Sequence, residues 1–281
     1  VTINLKGNII TLKKPMLMGV LNFTPDSFYS ESRITNDSVI KETIEQMFKD
    51  GADIIDIGGM SSRPGAKIID EKEELIRLKS VFKIISKHFS DKYFSIDTIR
   101  SSIARIAVEN FGVAMINDIS AGEYDKKMFQ TVADCNVPYI IMHMIGTPLN
   151  MQQNTVYNSI IDDIILYFSK KVNELNKIGV NDIIIDPGFG FSKDIDQNYH
   201  LLNKLKDFQI FNLPILTGLS RKSMIWKYLD ITPNEALNGT SVLNTIALQK
   251  GANIIRVHDV KEGKETIELF YKTLNLDKIA D

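Results

Sequence analysis

The sequence predicts an α/β protein built as one (β/α)8 TIM barrel over residues 1–281, with an N-terminal β-hairpin at 1–12. Three observations carry this. Eight short apolar runs recur along the chain, segments of helical period lie between most of them, and composition shows no break that would mark a domain boundary. A length of 281 residues suits a single barrel of about 250 residues with small additions. The alternative is a doubly wound open sheet, which lacks its usual support here because no glycine-rich dinucleotide fingerprint follows the first apolar run.

Residues 2–5 and 8–12 alternate apolar and polar around Lys6-Gly7-Asn8, a hairpin signature, and this hairpin is expected to cover one end of the core. The eight runs are 16–21, 53–57, 93–96, 113–116, 138–142, 182–185, 213–217 and 253–257. Helical period marks 39–49, 71–87, 101–110, 159–178, 199–206 and 235–250. Gly51, Gly112, Gly179 and Gly251 fall just after helices and just before strands, where a left-handed cap is expected.

Hydrophobic residues make up 44% and charged residues 24% of the chain, and the net charge is −2. Those values give no electrostatic reason to expect nucleic acid or an anionic membrane as partner. No apolar run approaches the roughly 18 residues needed to span a bilayer, and a cytoplasmic protein is expected. The single cysteine, Cys135, has no second thiol for an internal disulfide, and the four histidines show no metal-ligand spacing.

The strand ends carry the chemistry. Residues 183–193 read Ile-Ile-Ile-Asp-Pro-Gly-Phe-Gly-Phe-Ser-Lys, an apolar strand stopped just after Asp186. A carboxylate so placed needs a partner: a protein cation, a ligand carrying N–H donors, or, in the plainer reading, the loop it caps. Other strands end at Asn22, Asp56, Asp97, Asn117-Asp118, His143, Ser220-Arg221-Lys222 and Arg256-Val257-His258-Asp259. In a barrel that face carries the active site. Asp97, Asn117, Asp186 and Lys222 suit a flat heterocycle with a guanidine-like edge, the carboxylates accepting and the lysine donating. Arg63, Arg256 and His258, with Ser61 and Ser62 nearby, suit phosphate or pyrophosphate. Against this stand plainer roles: Lys222 neutralising Asp186, Arg256 pairing with Asp259 or another carboxylate at the surface, and His143 packed and hydrogen-bonded. Asn22 and Asp26 are placed to hold Mg²⁺ through one or two oxygens while phosphate and water complete the octahedron.

Taken together, these residues make the chain resemble the dihydropteroate synthases. The motifs run in order: Met18-Gly19-Val20-Leu21-Asn22-Phe23-Thr24-Pro25-Asp26-Ser27-Phe28, Asp56-Ile57-Gly58-Gly59, Ser61-Ser62-Arg63-Pro64-Gly65 and Ser95-Ile96-Asp97-Thr98. They continue with Ile116-Asn117-Asp118, Met142-His143-Met144, Asp186-Pro187-Gly188-Phe189-Gly190-Phe191, Ser220-Arg221-Lys222-Ser223 and Arg256-Val257-His258-Asp259. The resemblance implies a transferase of folate biosynthesis. It would condense 6-hydroxymethyl-7,8-dihydropterin pyrophosphate with 4-aminobenzoate, giving dihydropteroate and pyrophosphate with Mg²⁺ as cofactor. It further implies that Asp97, Asn117, Asp186 and Lys222 hold the pterin, and that Asn22, Arg63, Arg256 and His258 hold pyrophosphate and metal, the metal at Asn22. Ser62, Phe191, Ser220 and Lys222 would border the aminobenzoate pocket where sulfonamides compete. Asp97, Lys222, Arg256 and His258 would be the catalytic group, and the assembly a homodimer, with the last two helices, Tyr228 and Phe270 as its candidate surface.

There are departures from the family pattern. Tyr29-Ser30-Glu31-Ser32 replaces the usual Ser-Asp-Gly-Gly, Ser62 stands where threonine is common, and Met60 where glutamate is common. Two rival readings are a methyl-transferring relative that works with a corrinoid protein and a catalytically silent pterin-binding paralogue. The cationic cluster argues against the first, and retention of Asn22, Asp26, Arg63, Arg256 and His258 against the second.

Overall fold

The computed structural model describes residues 1–24, 37–61, 63, 65–153 and 155–274. Alternation along each barrel strand sorts its residues between two cores. In the strand Ile183–Asp186, Ile183 and Ile185 face the surrounding helices while Ile184 faces the barrel axis. The apolar runs read as continuous because both faces are buried.

Two short strands, β1 (Thr2–Leu5) and β2 (Asn8–Thr11), pair antiparallel as the predicted hairpin. Eight parallel strands follow: β3 (Met16–Asn22), β4 (Ile54–Gly58), β5 (Phe94–Asp97), β6 (Met115–Asp118), β7 (Tyr139–Met142), β8 (Ile183–Asp186), β9 (Leu216–Thr217) and β10 (Ile254–Val257). Each pairs with its neighbours in chain order, β10 returns to β3, and a bridge between Ile185 and Ile215 closes the ring beside β9. The predicted barrel is therefore the observed one.

The helices are α1 (Asp37–Lys49), α2 (Glu71–His88), α3 (Ser101–Phe111), α4 (Met128–Cys135), α5 (Ile160–Lys177), α6 (Ile195–Asn203), α7 (Ser223–Trp226), α8 (Leu237–Gln249) and α9 (Val260–Leu274). Gly51, Gly112, Gly179 and Gly251 all have positive φ, as expected at the ends of helices α1, α3, α5 and α8. The predicted helix at 199–206 begins earlier. Asp194 accepts from Gln197 N at 2.8 Å and Gln197 Oε1 accepts from Asp194 N at 2.9 Å, a capping box that starts α6 at Ile195. Tyr228 lies beyond α7 in a turn rather than on either of the last two helices, and Phe270 packs against the main core.

The inward apolar residues Met16, Met18, Ile54, Met115, Ile140, Ile184, Leu216 and Ile254 plug the amino-terminal half of the barrel. Ile3, Leu5 and Leu12 join that plug, so the hairpin closes the bottom. Asp182 Oδ1 accepts from Asn4 N at 3.2 Å and fixes it there.

Candidate active site

One step further along each strand, the inward position becomes polar. Ile54 is followed on its face by Asp56, Met115 by Asn117, Ile184 by Asp186 and Ile254 by Arg256, while Ser95 precedes Asp97. Period-two alternation thus places three carboxylates, a carboxamide and a guanidinium in one layer directly above the apolar plug. Register adds precision: Asp97 pairs with Asn117, and Gly58 stands between Asn22 and Asp97. A Cβ on Gly58 would lie 2.9 Å from Asn22 Oδ1, so glycine is what leaves room for that carboxamide.

Asp56 is the hub. It is fully buried and accepts from the Ser95 hydroxyl, from Asn117 Nδ2 at 2.9 Å and from Arg256 Nε at 2.7 Å. Arg256 reaches on to Asp97 through Nη2 at 2.9 Å. Arg256 therefore does not pair with Asp259, whose carboxylate instead takes a two-pronged pair from Arg221 at 2.9 and 2.8 Å. These contacts use two of the five guanidinium donors of Arg256 and leave three for an anion above. Burial, and next the charge of Asp56, push Asp97 up to about 7 despite the adjoining cation.

Asp186 is 8% exposed, and its Oδ1 accepts from Gly188 N at 2.8 Å. The loop-capping role is real, yet it engages one oxygen only. Among the described residues no cation lies within ion-pair distance, so Lys222 does not neutralise Asp186 directly; burial raises this carboxyl, with Lys222 among the cations opposing the rise. Lys222 Nζ stands 4.2 Å from the Phe191 ring centroid, and burial lowers its pKa to about 8. Gly218 follows Leu216 on the inward face, and a Cβ there would meet nothing within 4 Å. Open space thus lies beside Gly218, at the strand end that leads to Lys222.

Phe191 belongs to an apolar cluster with Met60, Ile99, Ile119, Met142 and Met151, which walls one side of the mouth and accounts for Met60 as a packing residue. A cavity of about 470 Å³ opens on the flank of this wall, between Ile99, Ile119, Ser120, His143 and Tyr167. His143 takes the plainer role weighed for it. It is buried, its Nδ1 lies 3.2 Å from Lys193 Nζ, and burial holds it far below the usual imidazole range.

On the anion side, Ser220 Oγ accepts from His258 N at 3.2 Å and lies 3.0 Å from His258 Nδ1. A hydroxyl placed there can donate to Nδ1, and the imidazole proton then stands on Nε2, where it serves as a donor. Although its ring edge meets solvent, desolvation followed by Arg256 and Lys222 lowers His258 to about 4. Arg63 is exposed, yet close enough to contribute to that effect. Asn22 is half-buried at the end of β3, and among the described residues its side chain has no hydrogen-bond partner. Ser62, Asp26 and the altered segment Tyr29-Ser30-Glu31-Ser32 lie outside the described residues.

Sequence reasoning gave no role to three groups that the fold makes central. Asp56 was visible only as a strand end. Glu74, fully buried on α2, accepts from Thr98 Oγ1 at 2.7 Å and pairs with Arg100, and so holds the loop that follows Asp97. Lys193 is the third, and the signal for it was its place at the end of a glycine-rich turn.

Comparison with known proteins agrees with this geometry. Residues 18–258 match the family model described as pterin binding enzyme. The chain belongs to the pterin-binding enzyme family. A dihydropteroate synthase of Haemophilus influenzae is 38% identical over 268 residues, covering 95% of this chain and 96% of that protein. The structure of the Yersinia pestis dihydropteroate synthase in a sulfonamide drug complex has a TM-score of 0.90 at 36% identity, covering 98% of this chain and 99% of the other. That of Xanthomonas albilineans with 4-aminobenzoic acid has a TM-score of 0.89 at 30% identity, with 98% of each chain covered.

Proposed function

We infer that this pterin-binding enzyme is a dihydropteroate synthase, a transferase of folate biosynthesis and a sulfonamide target. It joins 6-hydroxymethyl-7,8-dihydropterin pyrophosphate to 4-aminobenzoate. The observation that carries the reading is the layer of Asp97, Asn117, Asp186 and Arg256 above the apolar plug, in a chain that matches such a synthase over 95% of its length. The oxygens of Asp97, Asn117 and Asp186 accept from the amino and ring N–H groups of the pterin, and Lys222 donates to its carbonyl or ring nitrogen.

In the reaction, the bond between the pterin methylene carbon and the pyrophosphate oxygen breaks, with its electron pair leaving on pyrophosphate. The amine of 4-aminobenzoate then bonds to that carbon and loses a proton to water. Asp97 stabilises the positive charge developing on the pterin. The three remaining donors of Arg256, the Nε2–H of His258 and Arg63 stabilise the negative charge on the departing group. No protein nucleophile is required. Phe191, Ser220 and Lys222 border the arylamine, and Ser62 joins them by motif.

The donor set at the anion side fits Mg²⁺ brought in with the substrate. Asn22 offers one neutral oxygen, and among the described residues there is no cluster of three or more His, Cys, Asp or Glu to form a dedicated cage. When bound, the ion supplies charge neutralisation on the leaving group. Cytoplasmic location and a homodimer complete the reading. In support of the first, no described helix is long and apolar enough to cross a membrane.

The deciding experiment measures pyrophosphate release from the dihydropterin substrate, with and without Mg²⁺ and with and without 4-aminobenzoate. Release that needs Mg²⁺ and yields dihydropteroate supports the assignment. Binding of the pterin without release under any condition overturns it.

A further inference from the structure

We propose that Lys193, for which the reaction has no direct use, is a positioning residue that clamps the turn between β8 and α6 and so presents Asp186 and Phe191 to the two substrates together. Lys193 is 2% exposed. Its Nζ donates to Gly188 O at 3.0 Å and Phe191 O at 3.0 Å, and lies 3.2 Å from His143 Nδ1. An ammonium has three donors, and here each has one acceptor.

The turn so held cannot hold itself. Gly188 and Gly190 both have positive φ, and among the described residues one backbone bond, from Phe191 N to Gly188 O at 3.1 Å, spans it. Gly188 N is committed to Asp186, and Gly190 N to Asn198 Oδ1. The carbonyls of Gly188 and Phe191 are then anchored by Lys193. Through His143 the clamp extends to the loop after β7, where Ser192 Oγ also bonds both N and O of Ile145 at 2.8 and 2.7 Å. Two active-site loops are thereby fixed as one unit, with Asp186 at one end and the Phe191 ring, lying against Lys222, at the other.

The clamp is also a charge. Lys193 is faced by Asp186 from β8, by His143 from the segment after β7, where Tyr157 lies against the His143 ring, and by Lys222 from the loop after β9. Burial brings its pKa down to about 7, with Asp186 opposing and Lys222 assisting, while Lys193 in turn helps to keep Asp186 ionised. Loss of this cation therefore moves the protonation of Asp186 to higher pH as well as loosening the turn.

The inference rests on Asp186 as a pterin acceptor, so the test includes Asp186→Asn. Affinity for 6-hydroxymethyl-7,8-dihydropterin pyrophosphate with Mg²⁺ is measured across pH for Lys193→Met, Lys193→Gln and Asp186→Asn. Lys193→Met is expected to weaken pterin binding about tenfold. Both Lys193 variants are expected to shift the acid limb of the binding profile to higher pH, which a loss of packing alone would not do. Binding within about twofold of wild type with an unmoved acid limb in a folded Lys193 variant overturns the proposal. An Asp186→Asn enzyme that binds like wild type overturns the site assignment beneath it. Weak binding by Asp186→Asn beside unaffected Lys193 variants overturns the role of Lys193 alone. Should both Lys193 variants fail to fold, His143→Phe keeps a ring but removes one acceptor. Weaker pterin binding in that variant supports the clamp, and unchanged binding overturns it.

Discussion

Asp56 shows most directly how single residues set up this site. It touches Arg256 and Asn117, each a residue of the proposed substrate layer, and removing it strands a buried guanidinium and a buried carboxamide. Breaking a buried pair from one side costs about 3–5 kcal/mol. Asp56→Ala is therefore expected to lose stability of that order in chemical denaturation and to weaken pterin binding. Asp97 makes a second prediction. Its pKa of about 7, raised by burial and by Asp56, lies above its unfolded value of 3.8, so its contribution to stability is complete below 3.8 and is lost as pH rises through 7. A pterin that donates N–H groups favours the ionised form. Binding near pH 7 should then release a fraction of a proton, measurable by calorimetry in buffers of different ionisation enthalpy, and Asp97→Asn should abolish that release. Arg256, Asp97 and Asn117 were legible as mouth-facing groups because they end apolar strands. That Asp56 connects them was not, since a strand-end aspartate looks the same whether it faces substrate or its neighbours.

At the scale of elements, the strands were read to within one to three residues because two buried faces leave an unbroken apolar run. Helix starts were less legible. α6 begins at Ile195 because Asp194 and Gln197 cap one another, a local signal that helical periodicity passes over. Loss of that cap costs about 1 kcal/mol. Asp194→Ala is expected to lower stability by that amount in denaturant titration while leaving catalysis intact. The turn ahead of α6 behaves differently. A Cβ on Gly188 would stand 2.1 Å from His143 O, at a φ of 76° that disfavours side chains. Gly188→Ala should therefore displace Asp186, and a loss of pterin affinity larger than the loss of thermal stability would register it. Rescue by a second-site change in the His143 segment would fit the same geometry.

For the molecule as a whole, the barrel has a bottom sealed by the hairpin and a mouth left polar. Ile3 is 1% exposed and packs into the apolar plug with Met16, Ile54 and Ile184. Ile3→Ala should cost about 2–5 kcal/mol, yet leave kcat/KM nearly unchanged below the melting transition, because the plug separates the hairpin from the substrate layer. Differential scanning calorimetry with parallel kinetics checks both halves of that statement. By itself the sequence determined the fold class, the strands, the hairpin and the identity of the mouth-facing residues, because those depend on period-two alternation and on where apolar runs stop. Only the tertiary structure decided how these groups share partners: Asp56 holding Arg256 and Asn117, Ser220 bonded to His258, Arg221 rather than Arg256 taking Asp259, and Lys193 spanning two loops. Such pairings form between residues as many as 200 positions apart in the chain. Their geometry follows from barrel closure and register, and neither local propensity nor spacing encodes that.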